Sequence, residues 1–462
     1  MMRLFILLIM GLLNAAAVMA AERSNVLVLI ADDLRPDAIG ANGNPDVKTP
    51  NIDLLMQRGR SYDRAYCMGS NSGAVCAPSR AMLLTGRSRF VIPQDVLVPW
   101  GPATGTPAPP MLPEIFRAQG WRTFATGKWH QRRPHFSRCF DDGDAIFFGG
   151  MGPHEGLKVY AFDPEGEYPK DDHVAMTAFS STGFADAAIT FLHENANSTD
   201  PFFAWVAFTA PHDPRTPPSG IRSGYDDSSL TLPANVLPEH PFDNGEMTIR
   251  DEKLEAWPRT PEALRRHLGD YYGMIEQMDA QIGRILESLE ASGQADNTIV
   301  VFLADHGLGM GSHGLLGKQN LYEHSAGAPL VVAGPGIKPA QRRSNLVYLH
   351  DVVPWLLDQA DLEHPSGLHA RNLETGAREA LVLHYRDGQR ALVEDRWKLI
   401  VYPQAGLVQL FDLKNDPYEQ RNLASEAPER VERMRQDLVS GMREVGDQLE
   451  LPSELLPAPD AS

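Results

Sequence analysis

The chain runs to 462 residues, long enough for a large hydrophobic core and for two domains rather than one. Its apolar and charged fractions, 43% and 22%, are those of an ordinary globular protein. Lys and Arg number 42 against 60 Asp and Glu, and the net charge of −18 argues against a general nucleic-acid binder; an anionic substrate would need a positive field confined to one site.

In chain order, Arg3, the apolar run Leu4 to Leu13 and the small-residue site Val18-Met19-Ala20 read as a signal peptide over residues 1–20. The apolar run is short for a bilayer span, so no stable membrane insertion is expected. The mature chain is expected to start near Ala21 and to be exported, periplasmic or secreted. Three later runs share one design. "NVLVLIADD" (25–33), "FFAWVAFTAPHDP" (202–214) and "TIVVFLADHG" (298–307) are apolar strands that end in polar residues. Such strands, buried on both faces, describe an α/β sheet with its site at the strand ends.

Between them, Tyr271, Met274, Ile275, Met278, Ile282, Ile285 and Leu289 keep the 3.6-residue period and predict a helix from Glu262 to about Ser292. "HDVVPWLLDQADL" (350–362) reads as another helix. After about residue 375 the pattern changes to short strands and one closing helix, from Pro428 to about Leu449, which suggests a smaller antiparallel α+β subdomain. The expected division is a catalytic domain over 21–374 and a C-terminal subdomain over 375–462. The stretches 101–110 and 217–258 read as long surface loops.

Asp32, Asp33, Asp305 and His306 end two of these strands. Each pair alone could cap a turn; converging on one sheet edge, they suit a hard divalent cation, calcium more naturally than zinc. Lys128 and His130 in "TGKWH", His212, and His313 and Lys318 in "GSHGLLGKQN" recur beside the predicted strand ends. A lone lysine there would default to a solvated group, but together these cations could clamp a tetrahedral oxyanion while histidines move protons. The chain has three cysteines. Cys67 and Cys139 could pair, leaving Cys76 as half of no disulfide: a buried small hydrophobe, a thiol nucleophile, or a residue awaiting modification.

Cys76-Ala77-Pro78-Ser79-Arg80 followed by Leu84-Thr85-Gly86-Arg87 resembles the signature of type I sulfatases, and "LIADDLRPD", "TPNID", "TGKWH", "APHDP", "ADHG", "GKQNLYE" and "LFDLKNDPYEQRNLA" extend the resemblance over most of the chain. It is similar, in its "ADHG", to the iduronate-2-sulfatase-like branch. The resemblance implies an alkaline-phosphatase-like α/β fold, a large mixed, mostly parallel sheet flanked by helices with a smaller C-terminal sheet subdomain. It implies that Cys76 is oxidised to formylglycine by a formylglycine-generating or anaerobic sulfatase-maturating enzyme, and that the substrate is a sulfated carbohydrate. By motif, it makes Cys76 the nucleophile and a metal ligand, with Asp32, Asp33, Asp305 and His306 holding calcium. Arg80 would position the modified residue, Lys128 and Lys318 would bind sulfate oxygens, His130 would be the base and His212 the acid, and His313 would line the sulfate pocket. One departure stands out. Members often have a glycine soon after the "GKWH" histidine, where this chain continues "QRRPHFSR". Arg132, Arg133, His135 and Arg138 there form either a subsite for a second anionic group or a solvated loop. A phosphonate or phosphate ester hydrolase, a non-catalytic sulfated-glycan binder and a thiol hydrolase are the competing readings.

Overall fold

The computed structural model describes residues 23–459; the expected signal peptide lies outside them. Eight strands form the main sheet in the order Gln341–Arg343, Arg60–Tyr62, Leu330–Ala333, Thr298–Ala304, Asn25–Asp32, Phe202–Pro211, Arg122–Lys128 and Asp142–Phe147. The five from Thr298–Ala304 onward are all parallel, and Leu330–Ala333 runs against both of its neighbours. Parallel strands need helices on both faces, which is why the three apolar runs show no alternation. Every residue of Asn25–Asp32, Phe202–Pro211 and Thr298–Ala304 is buried.

The amphipathic period seen in the sequence becomes a 31-residue helix, Pro261–Ala291. The Thr260 side chain accepts the Ala263 amide at its start, a cap worth about 1 kcal/mol. Its buried stripe packs on the sheet and on helix Ser180–Glu194. The second expected helix is shorter, Val352–Gln359, entered through a 3₁₀ turn at Leu349–Asp351.

The C-terminal strands Ala380–Tyr385, Gln389–Glu394, Trp397–Tyr402 and Leu407–Asp412 form an antiparallel sheet. Helix Pro428–Val445 covers one face through Met434, Leu438 and Met442. Its last residue, Val445, falls four short of the end the sequence pattern suggests, because the backbone turns left-handed at Gly446 (φ 91°). One strand of this sheet comes from elsewhere. Gly69–Ser70, just before the Cys76 segment, pairs in parallel with His384 and Tyr385. Gly69 has φ 127°, and a Cβ there would lie 1.7 Å from the His384 carbonyl oxygen, so only glycine permits the pairing.

Candidate active site

Because the central strands are parallel and adjacent, their C-terminal ends share one edge, and the residues just beyond them meet there. Asp32 and Asp33, Asp305 and His306, His212 and Asp213, and Lys128 and His130 arrive by this route. Facing them is the N-terminus of helix Cys76–Thr85, with Cys76 as its first residue. The helix is tied to the edge by Ser79, whose hydroxyl donates to the Asp305 carbonyl at 2.6 Å. Arg80 donates to Asp305 Oδ2 at 3.0 Å and to the Lys128 carbonyl at 2.6 Å. Tyr271 of the long helix donates to the Asp33 carbonyl at 2.7 Å. Asp33 (φ 71°) and His130 (φ 54°) both hold left-handed backbone, a strain that surrounding contacts must support.

The Cys76 sulfur lies 3.3 Å from His306 Nε2, 3.4 Å from Lys318 Nζ and 3.9 Å from Asp33 Oδ1. Lys318 Nζ also donates to both Asp33 oxygens, at 2.8 and 3.0 Å, and Lys128 Nζ pairs with Asp32 Oδ2. His306 Nδ1 donates to the Gly307 carbonyl at 2.9 Å, leaving Nε2 toward Asp33 at 3.2 Å and Asp305 at 3.5 Å. His212 Nδ1 donates to the Asp213 carbonyl at 2.7 Å, and its Nε2 faces Asp33 at 3.7 Å. The His154 ring holds the His212 carbonyl at 3.0 Å.

Burial and charge separate the three cysteines, all of which are buried and free; no Cys67–Cys139 bond forms. Burial pushes the Cys67 thiol up to about 12 and raises Cys139 further. Burial acts the same way on Cys76, but Lys128, Lys318 and His306 outweigh it and hold the thiol well below its ordinary range. Burial depresses His130 to about 4, with Cys76 drawing it partly back, so this imidazole is neutral at neutral pH. Its Nδ1 is buried without a hydrogen-bond partner. Burial also opposes a charge on His212, yet Asp33 wins and raises it.

Asp32, Asp33, Cys76, Asp305 and His306 each offer a ligand atom, all within 4.8 Å of one another. Burial and the Asp32 carboxylate raise Asp305 to about 7, so the acids crowd each other. Asp32 Oδ1 is buried with no hydrogen-bond donor. Hard oxygen donors, crowded carboxylates and one orphaned oxygen fit a divalent cation such as calcium.

A cavity of about 320 Å³ opens onto this cluster, lined by Cys76, His130, His212, Arg250, Lys318 and Gln319, among others. Of the residues expected here, Cys76, Arg80, Lys128, His130, His212, Lys318, Asp32, Asp33, Asp305 and His306 come together. His313 does not. It stacks on Tyr322 at 3.9 Å and bonds the Glu419 carbonyl at 2.9 Å, in a separate cluster with His324. The basic run also divides. Arg132 donates to the Asp95 and Gly101 carbonyls, and Arg138 pairs with Glu114, so neither guanidinium is free.

Sequence reasoning gave no role to several neighbours. Arg250 is bidentate to Asp213 and also pairs with Asp251. Gln319 spans Asp251 Oδ2 at 2.8 Å and the Gly73 carbonyl at 2.9 Å, and Gln131 holds the Ala77 carbonyl at 2.8 Å. Asp213 and Gln319 sit inside motifs already picked out; Arg250 and Asp251 lie at the start of the short 3₁₀ turn Asp251–Leu254, with no sequence pattern to mark them.

Residues 24–362 match the family model described as sulfatase, and residues 311–448 match one described as N-sulphoglucosamine sulphohydrolase, C-terminal. An arylsulfatase of Clostridium perfringens is 26% identical, over 90% of this chain and 94% of its own length. An ulvan-active sulfatase of Formosa agariphila is 28% identical, over 87% of this chain and 77% of its own. A solved structure of a protein in complex with its substrate D-glucosamine-2-N,6-O-disulfate superposes with a TM-score of 0.76. It covers 92% of this chain and 99% of that one at 22% identity.

Proposed function

The chain belongs to the sulfatase family, with its alkaline-phosphatase-like fold, and from that premise we propose that this sulfatase acts on a sulfated carbohydrate. The reading includes formylglycine at position 76, calcium in the acidic cluster, and export of the chain. Within the family, we assign the chain to the iduronate-2-sulfatase-like branch on Ala304-Asp305-His306-Gly307 alone, without carrying over that branch's substrate. The observation that carries the reading is the position of Cys76, at a helix N-terminus, 3.4 Å from Lys318 and within reach of three carboxylates. A thiol hydrolase would give those carboxylates no task.

Formylglycine would supply a hydrated aldehyde, one hydroxyl to attack sulfur and a second whose ionisation releases sulfate. Calcium, held by Asp32, Asp33, Asp305 and His306, would supply a Lewis acid for the sulfate oxygens. The remaining work belongs to the chain's own side chains. Lys318 lines the cavity and the buried Lys128 pairs with Asp32, two positive charges whose hold on a sulfate with shifting negative charge is strengthened by the low dielectric around them. His212, anchored through Nδ1 to the Asp213 carbonyl, presents Nε2 to the cavity and can protonate the departing alkoxide. His130 is neutral, with an unpartnered Nδ1, and can take the proton whose loss frees the sulfate. Arg80, fixed on Asp305 and the Lys128 carbonyl, keeps helix and strand edge in register.

Mass spectrometry of the peptide spanning Cys76, from protein made beside a maturation enzyme, tests the modification. Comparing kcat/KM for 4-nitrophenyl sulfate and a matched aryl phosphonate tests the reaction. An intact thiol in cells that convert a control sulfatase, or a preference for the phosphonate, would overturn the reading.

A further inference from the structure

A second recess, about 750 Å³, shares His130 and Gly150 with the catalytic cavity, so a substrate held by its sulfate would extend directly into it. Its charge is unlike that of the molecule. Arg132, Arg133, Lys158 and Lys170 are among the lining residues and no Asp or Glu is, in a chain whose net charge is −18. The two arginines are already engaged, Arg132 by main-chain carbonyls and Arg133 by the Tyr168 carbonyl and the Tyr160 hydroxyl. Lys158 and Lys170 are exposed, and their ammonium groups make no ion pair among the described residues.

Trp100 lines this recess, 59% exposed, with its ring stacked on the shared His130, centroids 5.7 Å apart. Water alone does not favour a large exposed indole. The loop that carries it is nonetheless fixed from both ends. Arg132 holds the Asp95 and Gly101 carbonyls, and the Asp95 carboxylate accepts from the amide and hydroxyl of Thr104. A preorganised aromatic face beside uncommitted cations is the pairing that a sugar ring bearing an anion requires: apolar C–H surface on the ring, charge on the lysines.

We propose that this recess is a glycan subsite that binds a second anionic group, a sulfate or a carboxylate, on the sugar carrying the cleaved sulfate or on its neighbour. Trp100 is the platform, Lys158 and Lys170 select the anion, and Arg132 is a positioning residue for the platform. The inference rests on the carbohydrate reading above and narrows it to polyanionic glycans.

The test is equilibrium binding, which needs no turnover. Calcium-loaded protein is titrated into fluorescent dextran sulfate oligosaccharides and, in a second arm, unsulfated oligogalacturonates, with anisotropy as the readout. The double variant Lys158→Ala/Lys170→Ala, changed only at exposed positions outside the catalytic cavity, should weaken the preferred anion's binding about tenfold. Its kcat for 4-nitrophenyl sulfate should stay within about twofold of wild type, because those lysines lie beyond the sulfate itself. Trp100→Ala should weaken oligosaccharide binding as well, and Trp100→Phe should restore part of it. The arm that responds identifies sulfate or carboxylate. No binding of either oligosaccharide by wild type, or unchanged affinity in the double variant, overturns the subsite. Loss of 4-nitrophenyl sulfate hydrolysis by wild type would instead count against the reaction assignment, whatever the anisotropy shows.

Discussion

The Lys318 ammonium lies 3.4 Å from the Cys76 sulfur, although 242 residues separate them along the chain. The lysine bridges that sulfur to the Asp33 carboxylate, and so couples the nucleophile position to the acidic cluster. Removing it takes away a buried charge aimed at the proposed reacting group. Lys318→Ala should lower kcat on an aryl sulfate by about 10²- to 10³-fold, with a smaller change in KM. A loss confined to KM in steady-state kinetics would show that Lys318 only binds the ground state.

His130 has little room. A Cβ added at Gly150 would stand 2.6 Å from its Nε2 and 2.8 Å from its Cε1, and the Trp100 ring closes part of the space around it. Gly150→Ala should therefore displace the imidazole and reduce kcat about 10- to 100-fold while Tm hardly moves. An unchanged kcat would mean that the imidazole tolerates the shift or is not the base.

Three crowded carboxylates make the acidic cluster the place to test the calcium proposed above. At a calcium concentration 100 times Kd, binding should stabilise the fold by roughly 2.7 kcal/mol. For a chain of this size that is a Tm rise of several degrees over chelated protein. Asp33→Asn should abolish the calcium-dependent part of the shift. Differential scanning fluorimetry with calcium and with chelator would decide, and equal Tm values in both would remove calcium from the site.

Acid should unfold the protein through buried histidines outside the catalytic cluster. Burial holds His240 at about 4 and His313 and His350 at about 3, and it pushes His384, with neither ring nitrogen hydrogen-bonded, well below the ordinary value. The unfolded chain takes up protons at these rings as pH falls through about 6.5, while the native protein does not until much lower pH. The unfolded state thus binds more protons in that window, and stability falls with acid. Each ring contributes on the order of 1–2 kcal/mol of loss by pH 5. His384→Phe, which keeps an aromatic against Phe90, should flatten the urea-midpoint slope between pH 7 and pH 5. A slope equal to wild type would contradict it.

What the sequence disclosed follows from which contacts are regular. Parallel strands put Asp32, Asp33, Asp305 and His306 at one edge by geometry alone, so reading the strands was enough to bring them together. His313 illustrates the opposite case. It lies five residues before Lys318, but the Gly309 amide bonds the Gly317 carbonyl and the Gly311 amide bonds the Leu315 carbonyl. The stretch doubles back on itself, returning Lys318 to Cys76 while its tip rests on Asn235 and Glu419. No periodicity announces such a turn. The Arg250–Asp213 contact was hidden for a related reason, since a loop without repeats supplies Arg250. The basic run "QRRPHFSR" was visible as charge, but most of its partners are carbonyls, which sequence does not display.

The pairing of Gly69–Ser70 with His384 and Tyr385 has a consequence in time rather than in space. The segment leading into Cys76 is completed by a strand made roughly three hundred residues later, some 15 to 60 seconds of synthesis at ordinary rates. Until that strand arrives, the segment has no partner on that edge, and once the fold is complete Cys76 is only 1% exposed. Under the formylglycine reading proposed above, the modifying enzyme would have to reach Cys76 before the C-terminal sheet closes. The order of synthesis gives it an interval in which to do so.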